Sequence, residues 1–298
     1  MRVGVVILPE HRWEQARELW VRAEDYGFDH AWTYDHLAWR SLAGGPWFAA
    51  IPTLTAAALV TSRIRLGTFV ASPNFRHPVP FAKEVMTLDD IAGGRLTVGV
   101  GAGGIGLDAA VLGLDVLAPK ARADRLIEFV TTLDMLLSQD VTNSSGEYFS
   151  AVDARMIPHS GQEPRVPFVI AANGPRMLRL AAEFGQGWVT AGAAEAGNGL
   201  EAWWHSVAEL SGRFDDALLE AGRSAESIDR YLSLDASGKV ALASLEYFRE
   251  CAERAAGLGF TDVVIHWPRP EGVYAADESV LDEIAAEFLT PRRSNSRS

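Results

Sequence analysis

Two neighbouring residues in the first third of the chain are equipped for acid–base chemistry, Asp35 and His36 in the stretch HAWTYDHL. Histidine exchanges a proton near neutral pH, and a carboxylate beside it fixes its tautomer or binds a polar cofactor edge. The plain alternative is a capping Asp and an exposed His opening a loop. A glycine-rich stretch, GVGAGGIG, places Ala102, Gly103 and Gly104 where a ligand could approach bare backbone. Its Gly101, Gly103 and Gly106 also satisfy the G-x-G-x-x-G dinucleotide pattern. Further on, Asn173-Gly174-Pro175-Arg176 reads as a tight turn entering a helix, with Pro175 at the first helical position. Free N–H groups and the helix dipole make such a start an anion site, to which Arg176 could add a charge-assisted contact. Ala191 and Gly192 supply another small-residue segment, and Trp39, Trp47 and Phe48 are suited to wall a substrate pocket.

These residues need a frame that brings them together. Short β-branched runs at 3–8, 30–34, 64–71, 96–100, 166–171, 187–191, 230–235 and 262–266 alternate with amphipathic stretches at 12–26, 48–62, 79–92, 120–138, 175–184, 199–222, 244–257 and 277–288. Near-continuous apolar strands mean burial on both faces, as in a parallel sheet covered by helices. Eight strand–helix units predict a TIM (β/α)8 barrel; a doubly wound open sheet is the alternative. Residues 139–165 are too long for a plain helix–strand connection and form an insertion, with NSSGEYF as a turn flanked by short strands. Residues 1–290 read as one domain and 291–298 as a disordered tail. In such a barrel the segments after each strand build the site. Asp35-His36, the glycine turn, Asn173-Gly174 and Ala191-Gly192 all fall there, as do Ala236-Ser237 and His266-Trp267. The G-x-G-x-x-G pattern lies after the fourth strand, with no obvious helix opening at Gly106 and no acid ending a strand about twenty residues on, which argues against a nicotinamide site.

Composition narrows the partners. The 298 residues carry a net charge of -12, which disfavours nucleic acid and anionic membrane surfaces. No apolar run approaches the ~18 residues of a membrane span, and a single cysteine, Cys251, suits a reducing compartment, so a cytoplasmic location is expected. His/Cys clusters with metal spacing and a G-x-S-x-G elbow are both missing, which disfavours a zinc enzyme and an α/β-hydrolase.

The stretch RIRLGTFVASPNFRHPVPFAKEVMTLDDIAGGRLTVGVGAG, together with HAWTYDHL, EYFSAVDARMIP and PRVPFVIAANGP, resembles the luciferase-like oxidoreductase superfamily, specifically its branch using the deazaflavin coenzyme F420. The resemblance implies a barrel with its cofactor over the mouth. Asp35 and His36 would contact the deazaflavin, with His36 as the catalytic acid, base or orienting group. It also implies a strand-three bulge with a non-prolyl cis peptide at Phe69-Val70 behind the ring. Backbone at Ala102–Gly104 would line the cofactor, and a phosphate of its tail would sit near Asn173–Arg176, with Arg76 as a second contact. Relatives often carry a glutamate where this chain has Gly104, leaving only Asp108 nearby, so a sugar-phosphate dehydrogenase is disfavoured. The chemistry implied is hydride transfer to a small organic substrate, chiefly reduction of an activated C=C or C=N bond, in a homodimer. An FMN-dependent monooxygenase and a non-catalytic flavin-binding protein are the alternatives.

Overall fold

A computed structural model describes residues 1–104, 107–193 and 199–289. Among these residues ten strands and nine α-helices follow in chain order: β1 Arg2–Val6, α1 Trp13–Tyr26, β2 His30–Thr33, α2 Ala50–Val60, β3 Arg65–Ala71, α3 Pro78–Ile91, β4 Leu96–Val100, α4 Leu107–Val111, α5 Pro119–Ser138, β5 Val141–Ser145, β6 Ser150–Arg155, β7 Phe168–Ala171, α6 Pro175–Phe184, β8 Gly187–Thr190, α7 Gly199–Glu220, β9 Asp229–Ser233, α8 Leu245–Gly257, β10 Asp262–His266 and α9 Glu278–Phe288. Eight strands close a parallel barrel in the order β1-β10-β9-β8-β7-β4-β3-β2. The expected TIM barrel is therefore the fold, and the open-sheet alternative falls. The tail at 291–298 lies outside the described residues, as does Gly106 of the glycine pattern.

Side chains alternate across each strand and split the core in two. Val5, Phe168, Ile170, Val263 and Ile265 pack outward under the helices. Val6, Trp32, Val169, Val189, Tyr231 and Val264 fill the barrel interior. Each fully buried side chain of this size contributes ~1.5–3 kcal/mol.

Local signals place the ends of the elements. Gly27 ends α1 at φ 92°, a conformation in which a side chain would be strained. Pro78 and Pro175 open α3 and α6, where the missing N–H costs nothing. The insertion is an antiparallel β5–β6 hairpin outside the barrel. Its turn is fastened by Glu128 of α5, whose carboxylate accepts the N–H groups of Glu147, Tyr148 and Phe149 at 3.0, 2.9 and 2.6 Å. One helix departs from expectation. The short α4 opens immediately after the glycine turn, so that objection to a dinucleotide motif fails. The closed barrel and the position after the fourth barrel strand still set the turn apart from a Rossmann unit.

Candidate active site

The C-terminal ends of the barrel strands open into a cleft of about 820 Å³. Its floor is mostly backbone and small side chains: Gly101, Ala102, Gly103 and Gly104 after β4, Ala171 and Ala172 at the end of β7, and Ala191 after β8. The ladder between β3 and β4 shifts register between Thr68 and Ala71. The Phe69–Val70 peptide at that point is cis, and both residues line the cleft. Gly103 holds φ 71°, and a Cβ there would sit 2.1 Å from the Asn74 amide nitrogen, so only glycine fits this turn.

His36 stands at the rim of this floor. Its Nδ1 lies 2.8 Å from Oδ2 of Asp108, while Oδ1 of Asp108 accepts the Leu37 N–H at 2.7 Å. A carboxylate only accepts, so Nδ1 carries the proton and Nε2 is left as the working nitrogen of the ring. The His36 side chain is 23% exposed and lines the cleft, whereas Asp108 is 3% exposed and cannot meet a substrate directly. The indole of Trp47 donates to the His36 carbonyl at 2.8 Å, clamping the same loop.

Asp35 has a different place from the one expected. It is 1% exposed and does not line the cleft. Both its oxygens are taken by Arg76, at 3.0 Å from Nε and 2.7 Å from Nη2. Burial raises the Asp35 carboxyl above its ordinary value, with the two-point contact from the Arg76 guanidinium opposing it. Burial lowers the Arg76 guanidinium in turn, but Asp35 and Glu84 outweigh it and hold it above its ordinary value. Asp35 therefore neither orients His36 nor presents an oxygen to the cleft, and Arg76 is committed to Asp35 and Glu84 rather than free for a cofactor tail. The reason is alternation: consecutive side chains of extended backbone point to opposite sides.

The remaining expected residues divide. Trp39 walls the cleft, with its ring 5.2 Å from that of Tyr34. Trp47 acts from behind through His36, and Phe48 is 41% exposed and outside the lining. Asn173 lines the cleft and bridges Thr190 and the Gly192 carbonyl at 2.7 and 2.9 Å. Gly174, Pro175, Arg176 and Gly192 lie beyond the lining. Gly174 precedes α6 without a side-chain cap, and Arg176 pairs with Asp124 at 2.5 Å. Trp203 and Trp204 are buried, and the Trp203 indole holds the Ala191 carbonyl at 2.9 Å. Cys251 is packed in α8, where burial pushes its thiol up to about 11.

Four cleft-side residues carry no signal in sequence spacing. Tyr34, Asp235, His266 and Tyr274 meet from separate segments in one hydrogen-bonded chain. Strand-end position marked His266, but nothing in the sequence joined it to the others. Arg125 of α5 was also unmarked. It reaches Asn74, its Nε is buried with no hydrogen-bond partner, and it has no carboxylate partner among the described residues.

The cleft and the carboxylate-held histidine lie together at the C-terminal end of the strands, the end at which (β/α)8 enzymes place their sites. Residues 1–237 match the luciferase-like monooxygenase family, and the chain belongs to it. An F420-dependent glucose-6-phosphate dehydrogenase of Amycolatopsis mediterranei is 32% identical over 220 residues, covering 73% of this chain and 63% of that protein. A 5,10-methylenetetrahydromethanopterin reductase of Methanopyrus kandleri is 31% identical over 240 residues, covering 76% and 63%. The matches thus span under two thirds of these relatives' length. A solved F420-dependent secondary alcohol dehydrogenase in complex with an F420-acetone adduct shares the fold, with TM-score 0.80, 20% identity and 98% and 99% of the two chains covered. No described helix is long and apolar enough to cross a membrane.

Proposed function

We propose that this protein is an oxidoreductase dependent on coenzyme F420, acting on a small organic substrate, and that it reduces an activated C=C or C=N bond. The observation that carries the reading is His36, pinned through Nδ1 by Asp108 beside a cleft floored with glycine and alanine. The residues fit the cofactor. A planar ring requires a floor without bulky projections, and Gly101, Ala102, Ala171, Ala172 and Ala191 supply one. Ser72, Asn173 and Thr190 offer polar atoms to its edge. The uncapped start of α6 at Gly174 and the unneutralised Arg125 offer an anionic tail two positive ends. When bound, F420 supplies the hydride chemistry; the protein supplies orientation, proton handling and exclusion of water.

His36 is the acid–base residue of this reading. Asp108 fixes its tautomer, so Nε2 is the ring nitrogen that meets the substrate, as acid, base or orienting group. Trp39 shapes the substrate space. The F420-dependent relatives named above support the cofactor, and the acidic surface supports small-molecule rather than nucleic-acid partners. A homodimer in the cytoplasm belongs to the same proposal. The family's monooxygenase description keeps FMN as the rival cofactor. Parallel titrations of cofactor-free protein followed by fluorescence decide between them. F420 is expected to bind at least about tenfold more tightly, a difference of ~1.4 kcal/mol. Tight FMN binding with no response to F420 reverses the assignment.

A further inference from the structure

A second histidine–carboxylate assembly faces the same cleft, and the mechanism above makes no use of it. Oδ2 of Asp235 accepts both the backbone N–H and the Nδ1–H of His266, at 2.7 and 2.8 Å, and its Oδ1 accepts the Ala241 N–H at 2.7 Å. The His266 Nε2 lies 2.8 Å from the Tyr34 hydroxyl, which lies 2.9 Å from the Tyr274 hydroxyl. Tyr34 and Tyr274 both line the cleft. The Tyr274 ring stacks on His266 with centroids 3.5 Å apart and planes within 6°. It does so from φ 61°, a left-handed backbone conformation unusual for an aromatic residue. Such an outlier persists only where its surroundings hold it, and it clusters at functional sites.

Donor and acceptor counting gives this chain two states. A carboxylate only accepts, so Nδ1 of His266 always carries a proton. With neutral His266, Nε2 accepts from Tyr34, Tyr34 accepts from Tyr274, and Tyr274 turns lone pairs to the cleft. With one more proton on Nε2 every bond reverses, and Tyr274 turns its O–H to the cleft. Burial pushes both tyrosine hydroxyls above their ordinary value, with the neighbouring hydroxyl and Asp235 contributing to the Tyr34 shift. Both therefore remain protonated and pass protons on rather than resting as phenolates. The titratable groups touching His266 are Asp235, Tyr34 and Tyr274. Arg40 adds positive charge near both tyrosines, and the His36 ring lies against that of Tyr34 with centroids 6.0 Å apart.

We infer that Tyr274 is a second catalytic residue, a reversible proton port to the substrate's oxygen or nitrogen, and that Tyr34, His266 and Asp235 are positioning residues that load and empty it. The inference rests on the oxidoreductase reading and deepens it. The substrate class becomes an imine, or a C=C conjugated to a carbonyl, in which a heteroatom gains the negative charge. Reduced F420, when bound, would supply one hydride to carbon, and Tyr274 gives one proton to the imine nitrogen or carbonyl oxygen. Tyr34 refills Tyr274, the Nε2–H of His266 refills Tyr34, and His266 is left neutral against Asp235. An enol formed on this route relaxes to the ketone.

The test has an arm without cofactor and an arm with it. In protein labelled with 15N-histidine, long-range 1H–15N spectra at alkaline pH should show His266 protonated at Nδ1, with Nε2 shifted as a hydrogen-bond acceptor. Tyr34→Phe should move Nε2 toward the free-imine position, and Tyr274→Phe should move it the same way by less. An Nε2-protonated tautomer, or a resonance blind to both variants, overturns the relay. With reduced F420 and 2-cyclohexen-1-one as the probe, Tyr274→Phe should slow single turnover about 10²-fold and flatten its pH profile, with KM held within about twofold. A wild-type rate and profile in that variant also overturns it. If wild-type protein binds F420 but leaves the enone untouched, the substrate class fails, and the relay is judged by the spectra alone.

Discussion

The His30–Asp262 pair at one end of the barrel and the His36–Asp108 pair at the other differ in what is left over. At the N-terminal end, the Trp32 indole donates to Nδ1 of His30 at 2.6 Å, and Nε2 meets Oδ1 of Asp262 at 2.9 Å. An indole only donates, so Nδ1 accepts and Nε2 carries the proton. His30 is 4% exposed, and its ring fills space that Gly4 leaves open, since a Cβ there would lie 1.9 Å from Nδ1. Arg2 completes the group, at 2.8 and 2.6 Å from Asp262. A cleft of about 420 Å³ opens beside it, but the carboxylates that line it are spent on fixed partners. Glu24 binds the N–H groups of Ser62, Arg63 and Ile64, Asp29 binds that of Val3, and Asp229 pairs with Arg2. At the C-terminal end, His36 has the opposite tautomer and one ring nitrogen uncommitted toward open space. Of these two pairs, the one whose nitrogens are both spent on fixed partners is a brace and the one with a nitrogen open to the cleft is a reagent, while His266, whose Nε2 meets a hydroxyl chain that reaches the cleft, belongs with the second.

The largest effect expected from this contrast is on rate. His36→Ala should slow oxidation of reduced F420 by the enone probe by about 10²–10⁴-fold, while F420 affinity changes by less than about threefold. Loss of F420 binding in that variant would make His36 a cofactor contact, and an unchanged rate would shift the proton work elsewhere. His30→Ala should do the reverse. Breaking the buried group should cost ~3–5 kcal/mol in urea unfolding, with F420 affinity of the folded protein unaltered. A loss under about 1 kcal/mol would deny the brace. The smallest effect concerns acid. Burial pushes the Asp262 carboxyl up, but hydrogen bonds from His30, Arg2 and Thr261 outweigh it and hold it below the usual range. A depressed folded value means this stabilisation is complete above the ordinary ~3.9 and is lost as pH falls through the folded value. Melting midpoints measured downward from about pH 5 should therefore fall less steeply in Asp262→Asn than in the parent protein. Parallel curves would remove Asp262 from the acid limb.

Much of the frame was legible because a parallel strand buried on both faces writes itself as an apolar run. The barrel strands lie within a few residues of the runs read from the sequence, and the insertion showed itself by its length. Position along a strand also led to His36 and to the small residues of the floor. Partnership was not legible. Asp35 sits next to His36 in the chain yet faces away, while Asp108 reaches His36 from 72 residues on, carried by a five-residue helix too short to show a period. The Tyr34, His266 and Asp235 contacts span strand ends 31 and 232 residues apart, and only barrel closure brings them together.

The grip of Asp108 on the Leu37 N–H and the His36 ring has a consequence for remaking this protein. The loop after β2 and the segment after β4 are stitched by a single carboxylate, so neither is an independent cassette. Exchanging residues 104–118 to alter what the pocket admits would unhook the histidine, even with every residue of the first loop left intact. Loop grafting on this scaffold should carry both segments across together.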